Sequence, residues 1–235
     1  MSPQVPLFVS IAFLVAIGFP VYMIASLFSK HVKPSLTTKA FWGIIAFFVV
    51  YFTGVGIAAF GGVFEAVSIP PKIVQVTTLP LLLLLMVVVF NTNGYKCLLR
   101  AIPVDRLIII HRFRLIGSFF IILLLFDQLP PFFALIAGIG DVFTALSSIW
   151  VAKAWKEKKY SRKTIALAWN TFGLIDILFT ASMATILTKI SIETGSLGVD
   201  ILAAFPFCFI PAFAPPTIIF LHMSIYRKLL TKNFS

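Results

Sequence analysis

Charged residues are scarce in this sequence. Asp, Glu, Lys and Arg make up 11% of the 235 residues, whereas 60% are hydrophobic. A soluble domain usually carries about 25% charged residues, so this chain has too little polar material for a water-facing surface. The apolar residues form seven blocks of about 20 residues, the length that a helix needs to cross about 30 Å of hydrocarbon. The composition excludes a soluble protein and predicts an all-α, seven-transmembrane-helix bundle.

Cysteines are few, no compact basic domain occurs, and we expect no cleaved leader. Cys97 and Cys208 fall in a predicted connection and inside the last predicted span, so we expect neither a disulfide nor a metal site from them. The start MSPQVPLFVS has no basic region, and no small-residue cleavage site follows it, so we expect the first block to be a span rather than a signal peptide. The net charge of +11 lies in loops, which favours a membrane surface over a nucleic-acid partner.

The seven blocks predict one transmembrane domain over residues 1–235 with short connections. The predicted spans are 6–29, 40–62, 73–91, 106–128, 131–154, 164–189 and 204–228. Pro130-Pro131 separates the fourth and fifth spans, because proline starts a helix well and continues one badly. Residues 91–105 are either a helical extension of the third span or a short interfacial helix.

The positions of the basic residues predict the orientation of the bundle. If the N-terminus lies outside, all of the 19 Lys and Arg except Lys72 and Lys189 fall in or beside cytoplasmic segments, Lys232 at the C-terminus included. The positive-inside rule describes this asymmetry, and a wrong span count would scramble it. We therefore expect the N-terminus to lie outside and the C-terminus in the cytoplasm.

Asp141 lies near the middle of the fifth predicted span. An ionisable group at that depth costs about 3 kcal/mol by insertion scales, so it usually faces the bundle interior. At 100° per residue, its helical stripe also contains small residues: Gly138, Ala145, Ser148 and Ala152. Two interpretations stand: a close-packing face with one hydrogen-bonded carboxyl, or a protonatable or ligand-binding acid.

Asp176 lies at a similar depth in the sixth predicted span. Its arc of the helix also holds Trp169, Asn170, Gly173 and Thr180. Because the fifth and sixth spans are joined by a short connection, they are expected to be antiparallel neighbours. If the two carboxyls face each other they would share a proton, since two like charges in a low dielectric do not both ionise. The alternative is two independent, hydrogen-bonded carboxyls.

His111 and Arg114 lie about one helical turn apart near the cytoplasmic end of the fourth predicted span. Arg114 has three possible roles: neutralising Asp141 or Asp176, binding an anionic lipid or substrate group, or reaching the headgroups as a topology determinant. No sequence pattern separates these roles.

His222 lies in the last predicted span, at a depth similar to that of His111. It follows Pro211, Pro215 and Pro216, and the first two of these lie on its own face. Prolines in a span free carbonyls and often bend the helix around a cavity. His222 is either a backbone-bonded histidine or a cavity-lining one.

Several classes of seven-span protein have clear requirements. A retinal pigment needs a lysine in the middle of the last span, and this span has none before Lys228. A bis-His haem protein could use His111 and His222. A metal-dependent hydrolase could draw on these histidines and the two acids, although the carboxyls lie about 8 Å or more from the imidazoles by helix rise and no HxxxH or ExxH spacing occurs.

The remaining function classes are non-enzymatic, although catalysis is not excluded. Acids at mid-membrane depth and proline-broken helices favour binding or translocation of a small ligand or proton, whereas the lack of an internal repeat speaks against a transporter. A regulatory subunit without a ligand is the other alternative. The sequence names no cofactor, and beyond the bilayer it names no partner.

Four motifs resemble those of a group of uncharacterised bacterial multi-span membrane proteins. The motifs are HRFR, AGIGD, WNTFG and the closing PFCFIPAFAPP with a later His. The resemblance would cover most of the chain and implies a bacterial inner-membrane location, but no activity. It groups six residues as one candidate site: His111, Arg114, Asp141, Asn170, Asp176 and His222.

Overall fold

Seven helices of the described part of the chain are long and apolar enough to cross a membrane. The computed structural model describes residues 5–231, and within that range it contains no β-strand. The seven helices are α1 (Leu7–Ser29), α2 (Thr37–Phe60), α3 (Val74–Asn91), α4 (Val104–Leu125), α5 (Pro131–Lys156), α6 (Arg162–Thr194) and α7 (Phe209–Leu230). The prediction of an all-α chain with seven membrane-spanning helices is confirmed.

The largest differences from the predicted spans lie around the connection between α6 and α7. Helix α6 continues to Thr194 and stops at Gly195, whose φ of 69° is the left-handed conformation that glycine adopts without strain. Helix α7 begins at Phe209, five residues later than predicted, after a 3₁₀ turn over Asp200–Ala203. Residues 205–208 form a turn instead, in which the Cys208 N–H donates to the carbonyl of Ala204 at 2.9 Å.

The segment between α3 and α4 forms a separate short helix, Asn93–Ala101, here called the linking helix. Helix α3 ends before Thr92, because the backbone of Thr92 is extended. The Thr92 hydroxyl accepts the N–H of Tyr95 at 3.1 Å. A threonine in this position is an N-cap, which starts a new helix. Of the two alternatives for residues 91–105, the structure therefore has a distinct short helix.

The end of α7 holds the linking helix in place. The buried Lys228 ammonium donates to three carbonyls at the C-terminal end of that helix, those of Leu99, Arg100 and Ile102. A cation there satisfies carbonyls that have no helical partner. Tyr95 donates to the hydroxyl of Ser224, which itself donates to a carbonyl of its own helix. Burial raises the pKa of Tyr95, so its hydroxyl stays neutral and keeps this proton.

Helices α4 and α7 form the centre of the bundle. Helix α7 packs against α2, α3, α4 and α6, while α4 packs against α1, α5 and α7. Helices α2 and α3 are mostly exposed, as expected for helices that face lipid. The candidate residues on α4 and α7 therefore lie in the interior.

The basic side chains gather at one end of the bundle, where α1, α3, α5 and α7 end and α2, α4 and α6 begin. We call this the basic end. Lys72 and Lys189 lie at the opposite end, and Lys232 falls outside the described residues.

Two hydroxyl groups replace the hydrogen bonds that prolines remove from α7. Pro215 and Pro216 have no N–H, which leaves the carbonyls four residues earlier, at Pro211 and Ala212, without helical donors. Thr78 donates to the first of these carbonyls at 2.7 Å, and Tyr51 donates to the second at 3.0 Å. A carbonyl without a partner is expensive in hydrocarbon, so these contacts attach α2 and α3 to the proline-containing part of α7.

We expect Tyr51→Phe and Thr78→Val to destabilise the protein by about 1–3 kcal/mol each, because each leaves a buried carbonyl without a donor. Thermal unfolding in detergent would measure the loss. Tyr22→Phe is the matched control, since the Tyr22 ring is exposed and its hydroxyl bonds to none of residues 5–231. Equal unfolding temperatures for Tyr51→Phe and Tyr22→Phe would contradict this account.

Candidate functional site

Arg114 is the centre of a buried charge cluster that joins α4, α5, α6 and α7. Its side chain is 0% exposed. Nε donates to Asp141 Oδ1 at 2.6 Å, and one terminal nitrogen forms a short ion pair with Asp176 Oδ2. The other terminal nitrogen donates to the carbonyl of Gly173 at 3.1 Å and lies 3.4 Å from His222 Nε2. All three guanidinium nitrogens therefore have acceptors, as a cation enclosed in protein requires.

The two acids meet through Arg114. Each carboxyl is 9% exposed and forms an ion pair with the same guanidinium, Asp141 from α5 and Asp176 from α6. Arginine stays protonated in proteins, so with both carboxyls ionised the three groups carry one excess negative charge. One further proton would make the cluster neutral. Of the roles considered for Arg114, the contacts are those of a group that forms an ion pair with each acid.

His222 is held in one orientation by Asn170. His222 Nδ1 lies 2.8 Å from Asn170 Oδ1, and the Asn170 amide donates to the backbone carbonyl of His222 at 3.1 Å. Arginine only donates hydrogen bonds, so the contact with Arg114 assigns a lone pair to Nε2 and the proton to Nδ1. That assignment agrees with the amide orientation, because Nδ1–H needs the Asn170 oxygen as acceptor. His222 is thus neutral in this arrangement.

His111 lies directly against His222, with 4.2 Å between the ring centroids. Its ring also lies nearly perpendicular to that of Trp169, with 5.2 Å between the ring centroids, and the residue is fully buried. Neither ring nitrogen of His111 has a hydrogen-bonding partner within residues 5–231, and the same holds for the buried hydroxyl of Thr144. Such groups are uncommon in protein interiors and often mark functional positions.

A stretch of 3₁₀-helix aligns the α4 side of the cluster. Residues Ile110–Gly117 are 3₁₀-helical, whereas the rest of α4 is α-helical. With three residues per turn, His111, Arg114 and Gly117 lie directly above one another, and all three are buried. An ordinary α-helix would spread these positions around the axis. A 3₁₀ stretch of this length inside a helix is unusual and often marks a functional segment.

Glycines make room for the charged and imidazole groups. A Cβ atom at Gly117 would overlap the Asp141 carboxyl, and one at Gly140 would overlap that of Asp176. At Gly173, a Cβ would lie 2.6 Å from His222 Cε1, closer than non-bonded carbons approach. These glycines permit contacts at backbone distance, as small residues commonly do between membrane helices.

The structure brings together all six candidate residues: His111, Arg114, Asp141, Asn170, Asp176 and His222. The small-residue stripe on α5 is buried along its length, as the packing interpretation of Asp141 expects. Sequence reasoning missed Gly117, Gly140 and the carbonyl of Gly173 as parts of the site, although glycines within AGIGD and WNTFG were a signal for close approach.

The geometry also bears on the two cofactor-dependent alternatives. A bis-His haem would have to lie between the two imidazoles, and their ring contact leaves no space for a porphyrin. Within the described part of the chain, no three His, Cys, Asp or Glu side chains are grouped as metal ligands. His222 has both ring nitrogens engaged, to Asn170 and Arg114.

We expect Gly173→Ala to destabilise the protein by about 1–3 kcal/mol, because the new methyl group collides with an imidazole that Asn170 holds in place. Gly54→Ala on α2 is the matched control. Its Cβ would meet no atom within 4 Å, and alanine favours a helix over glycine by up to about 1 kcal/mol. Thermal unfolding of the two variants should move in opposite directions; a neutral Gly173→Ala would contradict the packing described here.

The fold and site together define a polytopic membrane protein with a buried arginine–carboxylate–histidine cluster. The chain belongs to the family described as Domain of unknown function (DUF8737), which it matches over residues 71–230. The matched region includes every residue of the cluster. No curated protein and no solved structure matches the chain.

Proposed function

We propose that this protein binds and releases a proton at the Arg114 cluster and that proton binding is the basis of its activity in the membrane. The observation that carries the proposal is one buried guanidinium shared by two carboxylates, with an excess negative charge. An uncompensated charge is costly away from water, so a site of this composition favours taking up one proton.

Protonation weakens the contacts of Arg114. A proton on either carboxyl removes the charge of one ion-pair partner, and a proton on His222 Nε2 removes the lone pair that faces Arg114. In both cases the guanidinium is held less strongly. Because its contacts join four helices, a change in protonation would alter how these helices are held together. This is the feature expected of a proton-coupled membrane protein rather than of a static packing contact.

Infrared difference spectroscopy of the reconstituted protein tests proton binding directly. We expect a pH change to alter the C=O stretching band of a protonated carboxylic acid, because one acid of the pair exchanges the proton. Asp141→Asn or Asp176→Asn should remove or shift this band. Asp200→Asn should leave it unchanged, since Asp200 is exposed outside the helices that form the cluster.

The absence of any pH-dependent carboxylic-acid band in the folded protein would overturn proton binding by the acids. A band that persists in both cluster variants would assign the proton elsewhere.

Arg114→Gln should cost about 3–5 kcal/mol of stability, because it leaves two buried carboxyls without their cation. Infrared data from this variant are therefore read only where thermal unfolding shows a folded protein.

Translocation is the second part of the proposal and has its own readout. In proteoliposomes with an internal pH-sensitive dye, we expect a proton flux that Asp176→Asn abolishes and Asp200→Asn retains. A pH-dependent infrared band without flux would favour a proton-sensing or regulatory protein over a transporter. Flux that does not depend on Asp176 would contradict a route through the cluster.

We further propose that the basic end lies in the cytoplasm and that the membrane is a bacterial inner membrane. The clustering of Lys and Arg supports this orientation.

Cys97 on the linking helix is exposed, whereas Cys208 is buried. In intact cells, a membrane-impermeant maleimide should leave Cys97 unmodified and react only after permeabilisation, and Cys97→Ser should abolish the labelling. Labelling in intact cells would reverse the orientation.

A further inference from the structure

A cleft of about 420 Å³ lies between α1 and α4 at the basic end. Its polar part contains Lys30, His31 and Arg106, and its walls include the apolar side chains of Met23, Ile109 and Ile110. The cleft thus combines cationic groups with an apolar surface along two membrane-spanning helices. It is separate from the Arg114 cluster, which contributes no side chain to its lining.

The cationic groups in the cleft are available to an anion. Within residues 5–231, Lys30 has no carboxylate in ion-pair distance, and Arg106 meets only Asp105, at 3.8 Å and with its own side chain 63% exposed. That distance exceeds a hydrogen bond, and such an exposed pair contributes little. His31 Nδ1 lies 2.7 Å from the carbonyl of Leu27 and therefore donates to it, which fixes the ring in the cleft. Two cations thus face one distant carboxylate.

We propose that this cleft binds the phosphate headgroup of an anionic phospholipid. The phosphate would lie between Lys30 and Arg106, because arginine and lysine donate strong, charge-assisted hydrogen bonds to phosphate oxygens. One acyl chain would follow the apolar wall between α1 and α4. Basic pockets between membrane helices recognise lipid headgroups in this way.

The position of the cleft favours a lipid over a soluble anion. Tyr22 lines the cleft and is 55% exposed, and Phe19, about one turn earlier on α1, is 50% exposed, so the apolar surface continues onto the side of the bundle. A soluble anion would use the cations but leave this apolar surface unused. A phospholipid covers both, with its headgroup at the level of the basic residues.

The cleft also adjoins the segment that carries the cluster. Ile110 lines the cleft and is the first residue of the 3₁₀ stretch, and His111 follows it directly. A bound acyl chain would therefore pack against the turn that positions Arg114. Through this contact, a bound lipid would influence the position of Arg114 whether or not the cluster binds a proton.

Lipid titration of the purified protein in neutral detergent tests the proposal, with phosphatidylglycerol and phosphatidylcholine as probes and native mass spectrometry as readout. We expect tighter binding of phosphatidylglycerol, and about tenfold weaker binding in the double variant Lys30→Gln and Arg106→Gln. The matched control is Lys153→Gln with Lys163→Gln, which removes the same charge from exposed positions at the same end. This control should keep the wild-type preference.

Three outcomes would overturn the proposal. Equal binding of the two lipids would exclude headgroup recognition. An equal loss of phosphatidylglycerol binding in the control variant would show that general surface charge, and not this cleft, is responsible. Glycerol phosphate or inorganic phosphate competing as well as the lipid would assign the cleft to a soluble anion. Unfolding temperatures in phosphatidylcholine establish that both double variants are folded, and none of these readouts depends on proton binding at Arg114.

Discussion

The structure depends on the need of one arginine to find acceptors away from water. Arg114 can only donate hydrogen bonds, and every donor enclosed in hydrocarbon requires a partner. Its partners come from three other helices: Asp141 from α5, Asp176 and a carbonyl from α6, and His222 from α7. Because non-polar side chains gain little by leaving lipid for one another, such polar contacts contribute to the specificity of helix packing. The arginine therefore sets which faces of four helices meet.

Close approach of the backbones is the second requirement. Glycines at positions 117, 140 and 173 let carboxyl and imidazole groups lie against main-chain atoms, where any larger residue would collide. The same logic governs α7, whose prolines expose carbonyls that Tyr51 and Thr78 then satisfy. Each carbonyl that Pro215 and Pro216 leave without a donor in α7 is thus matched by a hydroxyl from a neighbouring helix. Polar satisfaction, rather than apolar burial alone, explains the pattern.

Sequence reasoning reached the number of helices and the inward faces of α5 and α6, because hydrophobic length and the 100° period depend only on local residue types. It also placed His111 and His222 at one depth. It did not predict that Arg114 joins both acids, since that depends on helix neighbours that are not consecutive in the chain. The 3₁₀ stretch in α4 was not predicted either, because its residues contain no local signal that separates a 3₁₀-helix from an α-helix. The end of α6 at Gly195 was overlooked although glycine is a common helix stop.

The eight-residue 3₁₀ stretch has a mechanical consequence. A 3₁₀-helix rises about 2.0 Å and turns about 120° per residue, against about 1.5 Å and 100° in an α-helix. Converting Ile110–Gly117 to α-helix would shorten α4 by about 4 Å and rotate its two ends against each other by about 160°. The partners of Arg114 therefore hold this part of helix α4 while it has its longer, 3₁₀ form. If those contacts were weakened, a local loss of hydrogen bonds would allow the two ends of α4 to move along the helix axis and rotate relative to each other.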